Sequence, residues 1–179
     1  MIPAFLRAAY GRLDRLAPAV LPTAARLAFA AVLLPYFWAS ARTKPGDGPL
    51  GFLLPSDSAY GQIFPRAFEA AGFDSSQLGP FHWAVATAGL WAEFLLPALI
   101  VAGLLTRPAA LGMIAFVAVQ SLTDIFGHGV DPATIGRWFD ADPGSLILDQ
   151  RLLWVVILSV PVFLGAGPLS ADRLLTARA

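Results

Sequence analysis

Four long apolar stretches limit what this chain can fold into. They cover residues 23–41, 81–105, 108–126 and 146–166. A helix needs roughly 20 mostly apolar residues to cross a bilayer, and each stretch is close to that length. Hydrophobic residues make up 57% of the 179 residues and charged residues only 13%, which is more apolar surface than a water-soluble fold can bury. We therefore expect an all-α, integral membrane four-helix bundle that forms a single domain over residues 1–179.

The segment before the first stretch has a helical pattern of its own. Phe5, Ala9, Leu13 and Leu16 recur at steps of three or four residues, which places them on one helical face. Charged residues are spread between them, which does not fit a cleaved signal peptide. We predict an N-terminal amphipathic helix that lies along the membrane surface.

The connections between the stretches differ in length. Thr106 and Arg107 alone join the second stretch to the third, so these two should be antiparallel neighbours. Residues 42–80 and 127–145 form two long loops. We predict a short helix in the first loop, opened by Pro65 and ended by Gly72, and a capped turn at Asp131 in the second. Both loops carry aromatic residues and are expected to cover one end of the bundle.

The basic residues indicate an orientation, since cytoplasmic loops are enriched in Lys and Arg. One side of the predicted bundle carries six bases: Arg7, Arg12, Arg15, Arg107, Arg173 and Arg178. The other side carries five bases and eight acidic residues. We expect both termini in the cytoplasm and both long loops outside.

Glu93 is the one ionisable side chain in residues 89–105, and it lies twelve residues from each end of its stretch. An unpaired charge at that depth costs several kcal/mol, so the side chain should face the bundle interior. One interpretation pairs Glu93 with Arg26 of the first stretch. In the other, Arg26 reaches the headgroups and Glu93 stays protonated and hydrogen-bonded.

A polar line follows the third stretch. Gln120, Asp124 and His128 are spaced i, i+4, i+8 and share a helical face, while His82 and Glu93 are eleven residues apart and also share one. One interpretation is a polar channel that descends from the outer loops to Glu93. The alternative is that the two histidines are ordinary residues at the membrane boundary.

The sequence narrows the choice of cofactor without naming one. The absence of cysteine excludes disulfides, thiol nucleophiles, Cys-ligated clusters and covalent c-type haem. His82, His128 and Asp124 are suitable ligand types but lack a local ligand spacing, so we predict no metal site. The candidate residues for binding a cofactor are His82, His128 and Gln120. The net charge of zero gives no reason to expect nucleic acid; the expected partners are lipid and other protein subunits or further copies of this chain.

Several motifs together resemble the DoxX family of small bacterial membrane proteins. They are Arg26-Leu27, Lys44 after the first stretch, Ala92-Glu93-Phe94, GLLTRPAALGM at residues 103–113 and GAGPLSADRLL at residues 165–175. The chain departs from the family at Ala41, where a glycine is usual. The resemblance implies a four-helix protein of the bacterial inner membrane with both termini inside. Some members are subunits of a thiosulfate:quinone oxidoreductase, and others are linked with redox or metal stress.

Three functions follow as hypotheses. In the first, the chain is a membrane subunit of a quinone-linked redox system. Glu93 transfers a proton, Arg26 is its partner, Asp124 belongs to the proton path, and quinone is the cofactor that this role requires. The alternative is a non-enzymatic scaffold or assembly partner, and the third is transport of a small solute or protons. Whether the chain itself is an enzyme stays open.

Overall fold

The structure, a computed structural model, describes residues 3–177, and these residues form helices and no strand. Arg178, counted above among the basic residues, lies outside this range. The α-helices are α1 (Ala4–Ala41), α2 (Asp57–Ile63), α3 (Pro65–Ala70), α4 (Pro80–Ala102), α5 (Thr106–Leu122), α6 (Pro132–Ile135), α7 (Arg151–Leu164) and α8 (Ala171–Thr176). A π-helical turn, Thr123–His128, extends α5, and a second, Leu146–Gln150, precedes α7.

Four helices are long and apolar enough to cross a membrane, which confirms the four predicted stretches. They are Ala4–Ala41, Pro80–Ala102, Thr106–His128 and Leu146–Leu164. They form a ring in which α1 and α5 each pack against α4 and α7. Only 22–28% of the residues in the apolar window of each helix are buried, so most of these side chains are at least partly exposed at the surface of the bundle. An apolar exterior of this kind is compatible with lipid as the solvent.

The core lies where the four helices face one another. Phe29, Leu33 and Phe37 recur every four residues along α1 and are almost fully buried. They pack against residues of the other three helices, among them Ile100, Met113, Val117, Trp154 and Leu158. The phenyl ring of Phe37 meets the Trp154 ring edge-on, with ring centroids 6.1 Å apart.

The N-terminal segment differs from the prediction. It is helical, but α1 is one continuous helix of 38 residues, so the boundary predicted at Thr23 is wrong. Pro18 and Pro22 lie inside the helix without ending it. Pro18 is exposed, so water can bind the carbonyl that this proline leaves without a donor. The helix is about 57 Å long, whereas the hydrocarbon core of a bilayer is about 30 Å thick.

The two long loops meet over one end of the bundle. Trp83 and Trp91 of α4 donate their indole N–H groups to the carbonyls of Leu53 and Phe52, at 2.8 and 3.0 Å. His128 Nε2 lies 3.0 Å from the carbonyl oxygen of Gln62, which joins the second loop to the first. The short helix predicted from Pro65 is confirmed as α3, and the Asp131 side chain caps α6 as expected.

Candidate functional site

Glu93 is held by Lys44, which follows the end of α1. Lys44 Nζ lies 2.8 Å from Glu93 Oε2, and the two residues are only 3% and 4% exposed. Ser40 completes the group: its hydroxyl donates to Glu93 Oε1 at 3.3 Å and accepts from Lys44 Nζ at 2.8 Å. The buried carboxylate therefore has both a counter-charge and a hydrogen-bond donor, which a buried ion pair needs to be tolerated.

The predicted ion pair between Arg26 and Glu93 does not form, and the extended position of Arg26 in the alternative interpretation is not found either. Arg26 is buried and binds backbone carbonyls, so it does not extend to the headgroups. Glu93 lies instead beside the last turn of α1, as the 3.2 Å hydrogen bond from Trp38 Nε1 to the Phe94 carbonyl also shows. The earlier turns of α4 therefore extend past the end of α1 and pack against α2. This offset brings Lys44, a loop residue by sequence, to the carboxylate.

A cavity of about 630 Å³ adjoins this ion pair, between α1, α4, α5 and the loops. Its polar wall includes Lys44, Glu93, Gln120, Asp124, His128 and Arg151. Glu93 therefore lines the same cavity as Gln120, Asp124 and His128. The apolar wall includes Val85, Ala88, Ala92, Ala115, Phe116 and Val119. An apolar cavity with a few convergent polar groups is the usual form of a small-molecule site.

A second ion pair borders the same cavity. Arg151, the first residue of α7, places one guanidinium nitrogen 2.5 Å from Asp124 Oδ2 and the other 3.0 Å from Ser121 Oγ. Asp124 belongs to the π-helical turn after α5, and Arg151 directly follows the turn before α7. Such turns are frequent at functional sites. In the sequence, Arg151 lies inside the fourth stretch and counts only among the five bases of the outer side, so it was not predicted as a site residue.

Gln120, which lines the cavity, has a side-chain oxygen that accepts no hydrogen bond within residues 3–177. Its amide nitrogen donates to the Tyr36 hydroxyl at 2.9 Å. Its amide oxygen is buried and has no hydrogen-bond partner among residues 3–177. Because a buried polar atom without a partner is costly, a ligand with an N–H or O–H group would gain a bond at this position.

His82 does not belong to this site, so that part of the predicted channel is wrong. It is not among the residues that line the cavity, and it packs edge-on against Phe64, with ring centroids 4.8 Å apart. The eleven-residue spacing put His82 and Glu93 on one side of α4, but the segment near His82 lies under α2 and α3.

Arg26 lies at the end of the bundle opposite Lys44 and Glu93. Its guanidinium donates to the carbonyls of Ile100 and Val101, at 2.8 and 2.6 Å, in the last turn of α4. It also donates to the carbonyls of Ala166 and Leu169, at 2.9 and 2.6 Å, beyond α7. A cation at helix C-termini stabilises carbonyls that have no partner within the helix. Arg26 thus ties α1 to the ends of two other helices.

Gly103 allows this arrangement in the turn between α4 and α5. Its φ of +69° lies in the left-handed region, and a Cβ there would come within 2.8 Å of the Arg26 guanidinium carbon. Only glycine gives both this conformation and the space for the arginine.

Asp172 of α8 caps α5 from outside the helix. Its two carboxylate oxygens accept hydrogen bonds from the N–H groups of Leu105 and Thr106, at 2.7 and 3.0 Å. Burial raises the pKa of the Asp172 carboxyl, but these N–H groups and nearby Arg26 outweigh that effect, so its pKa lies below the ordinary value.

Asp172 should therefore make the protein less stable in acid. A carboxyl with a lowered pKa in the folded state stabilises above its unfolded value of about 3.9, and this contribution is lost as pH falls through the folded pKa. We expect Asp172→Asn to lower the free energy of unfolding at pH 7 by about 1 kcal/mol, as for other caps. The variant's stability should also depend less on pH between 5 and 3 than that of the wild type. Melting temperatures in detergent across this range measure both effects; identical pH profiles would contradict the assignment.

No group of three or more His, Cys, Asp or Glu side chains that could hold a metal ion occurs in the described part of the chain. A scan against protein-family models, a search of curated proteins and a search of solved structures each gave no match to this chain.

Proposed function

We propose that this chain is a membrane protein that binds a lipid-soluble molecule with a polar head, of the quinone class, and that it acts as the membrane subunit of a redox system. The observation that supports this is the cavity of about 630 Å³ between α1, α4 and α5. It combines an apolar wall with two ion pairs, Lys44–Glu93 and Arg151–Asp124. A quinone ring needs both kinds of surface, because its carbonyls accept hydrogen bonds while its ring and tail are apolar.

Access from the lipid side fits this ligand class. Ala88, Ala115 and Val119 line the cavity on α4 and α5 and are also exposed. A molecule dissolved in the bilayer would enter between these helices, where small side chains leave space.

The polar groups fit the proton chemistry of such a ligand. Reduction of a quinone to a quinol takes up two electrons and two protons. In the proposed role Glu93 exchanges a proton with a quinone ring oxygen. Lys44 supplies the counter-charge, because its three donors are taken by Ser40 and Glu93. The sequence has no cysteine and no haem-attachment motif, so the electrons would come from a partner protein.

We also propose that the chain is a DoxX-like protein of the bacterial inner membrane with both termini in the cytoplasm. The residues that carry the resemblance support this, because they meet in space rather than along the sequence. Arg26, Gly103 and Asp172 form one cluster, and Lys44 and Glu93 form another.

Quinone binding is tested by titrating short-chain quinones onto the protein in nanodiscs and following its tryptophan fluorescence. Ala115→Phe fills part of the cavity, and Ala118→Phe, one turn away on α5, is exposed and does not line it. We expect saturable binding that Ala115→Phe weakens at least tenfold and Ala118→Phe leaves unchanged. Absence of saturable binding, or an equal effect of the two substitutions, would overturn the proposal.

The scaffold hypothesis keeps one supporting observation. The first half of α1 extends away from the core with exposed apolar residues, among them Phe5, Leu13 and Leu16. A helical face of this kind is suited to a partner protein. Isolation from native membranes of a complex that contains no redox protein would favour this function over the first.

A further inference from the structure

A second cleft lies at the end of the bundle opposite Lys44 and Glu93. It has a volume of about 410 Å³ and runs between α1 and the chain that follows α7. Arg15 and Arg173 line it from its two sides, together with Ser170 and Thr176. Pro18 and Leu164 contribute apolar surface. No part of this cleft belongs to the cavity described above.

Both arginines have donors to offer. Arg15 Nε bonds to the Gly11 carbonyl in its own helix, at 2.9 Å. Its terminal nitrogens, and the whole guanidinium of Arg173, have no hydrogen-bond or ion-pair partner within residues 3–177. Two guanidinium groups facing one cleft, without carboxylates of their own, favour an anionic ligand.

The other charged group in the cleft, the Asp172 carboxylate, already has hydrogen-bond partners. Both oxygens of the Asp172 carboxylate accept from the turn before α5. The carbonyls of Ala166 and Leu169 accept from Arg26. These acceptors therefore do not compete for the two arginines, and the cleft keeps a net positive character.

The position of the cleft indicates the kind of anion. Arg15 directly precedes the apolar run of α1 that begins at Leu16, and Arg173 follows the end of α7. The cleft thus lies where the apolar surface of the bundle ends, which is the depth of lipid headgroups. We propose that it binds a phosphate group, with Arg15 and Arg173 as the two ligands of its oxygens. This site is independent of the proposed quinone cavity.

Native mass spectrometry of the full chain tests the proposal. The protein in neutral detergent is mixed with phosphatidylglycerol, with phosphatidylcholine or with inorganic phosphate at constant ionic strength. The test variant is Arg15→Gln with Arg173→Gln. The control is Arg12→Gln with Arg107→Gln, two exposed arginines at the same end that do not line the cleft. Both double variants remove the same charge.

We expect one phosphatidylglycerol to bind at least tenfold more tightly than phosphatidylcholine, with the preference lost in the test variant and kept in the control. Competition by millimolar inorganic phosphate, with the same sensitivity to the test variant, would identify free phosphate as the ligand rather than a headgroup. Phosphatidylcholine also carries a phosphate, but its choline ammonium neutralises the charge. Equal losses in the two double variants would overturn the proposal, and so would the absence in the wild type of any preference for the net anionic ligands, phosphatidylglycerol or inorganic phosphate, over phosphatidylcholine.

Discussion

Replacing Glu93 with glutamine is expected to destabilise the protein by about 3–5 kcal/mol, because the Lys44 ammonium would be left buried without a counter-charge. Both residues are under 5% exposed, and the Nζ–Oε2 distance is 2.8 Å. Lys44→Met should lower the free energy of unfolding by a similar amount, because the Glu93 carboxylate would then be buried without a counter-charge. The free energy of unfolding, measured by denaturant titration in mixed micelles, gives both values.

The double variant Lys44→Met with Glu93→Gln separates stability from function. It removes both charges and keeps the side-chain volumes, so most of the lost stability should return. If Glu93 transfers protons, the refolded double variant is still without quinone-linked turnover. Full turnover in the double variant would remove Glu93 from the mechanism. If the loss of stability in the double variant equals the sum of the losses in the two single variants, the ion pair between Lys44 and Glu93 is contradicted.

The composition and the periodicity of the sequence were sufficient to predict the four spans and some of the polar residues that line the cavity. Residues 108–126 are apolar enough to define a span, and the i, i+4, i+8 spacing of Gln120, Asp124 and His128 places them on one face. The structure brings these three residues to the cavity. Local helical geometry carries this information, so no knowledge of the neighbouring helices is needed.

The partners of the charged residues could not be predicted, because they depend on how far each helix is shifted along its neighbour. The prediction judged depth from the distance of each residue to the ends of its own stretch, which brought Arg26 near Glu93. In the structure Glu93 is level with the end of α1, and Lys44 reaches it from the loop. Arg151 was missed for the same reason, since its partner Asp124 lies on another helix and its position in the fourth stretch does not show that the two meet. One signal was present: Lys44 was among the residues that carried the family resemblance.

Replacing Arg26 with methionine is the second change expected to have a large effect. The substitution removes the donor from the carbonyls of Val101, Ala166 and Leu169, whereas Ile100 keeps the hydrogen bond from the Gly103 N–H. Each buried group without a partner costs about 1–3 kcal/mol, so a loss of about 3 kcal/mol or more is expected even if some carbonyls rearrange. Arg26→Lys should recover only part of it, because an ammonium has three donors and no planar fork to bridge two segments. Arg42→Met, at the exposed end of α1, is the matched control and should change stability by less than about 0.5 kcal/mol.

Arg26→Met also tests whether Glu93 is paired with Lys44, as in the structure, or with Arg26, as in the sequence-based prediction. Arg26 and Glu93 lie in separate clusters, so the costs of Arg26→Met and Glu93→Gln should add within about 0.5 kcal/mol in the double variant. An ion pair between them would instead make the double variant more stable than the sum of the single costs predicts, as is expected for Lys44 and Glu93. Coupling of Glu93 to Lys44 but not to Arg26 would establish that the carboxylate belongs to the cavity and the arginine to the framework that holds the helices together.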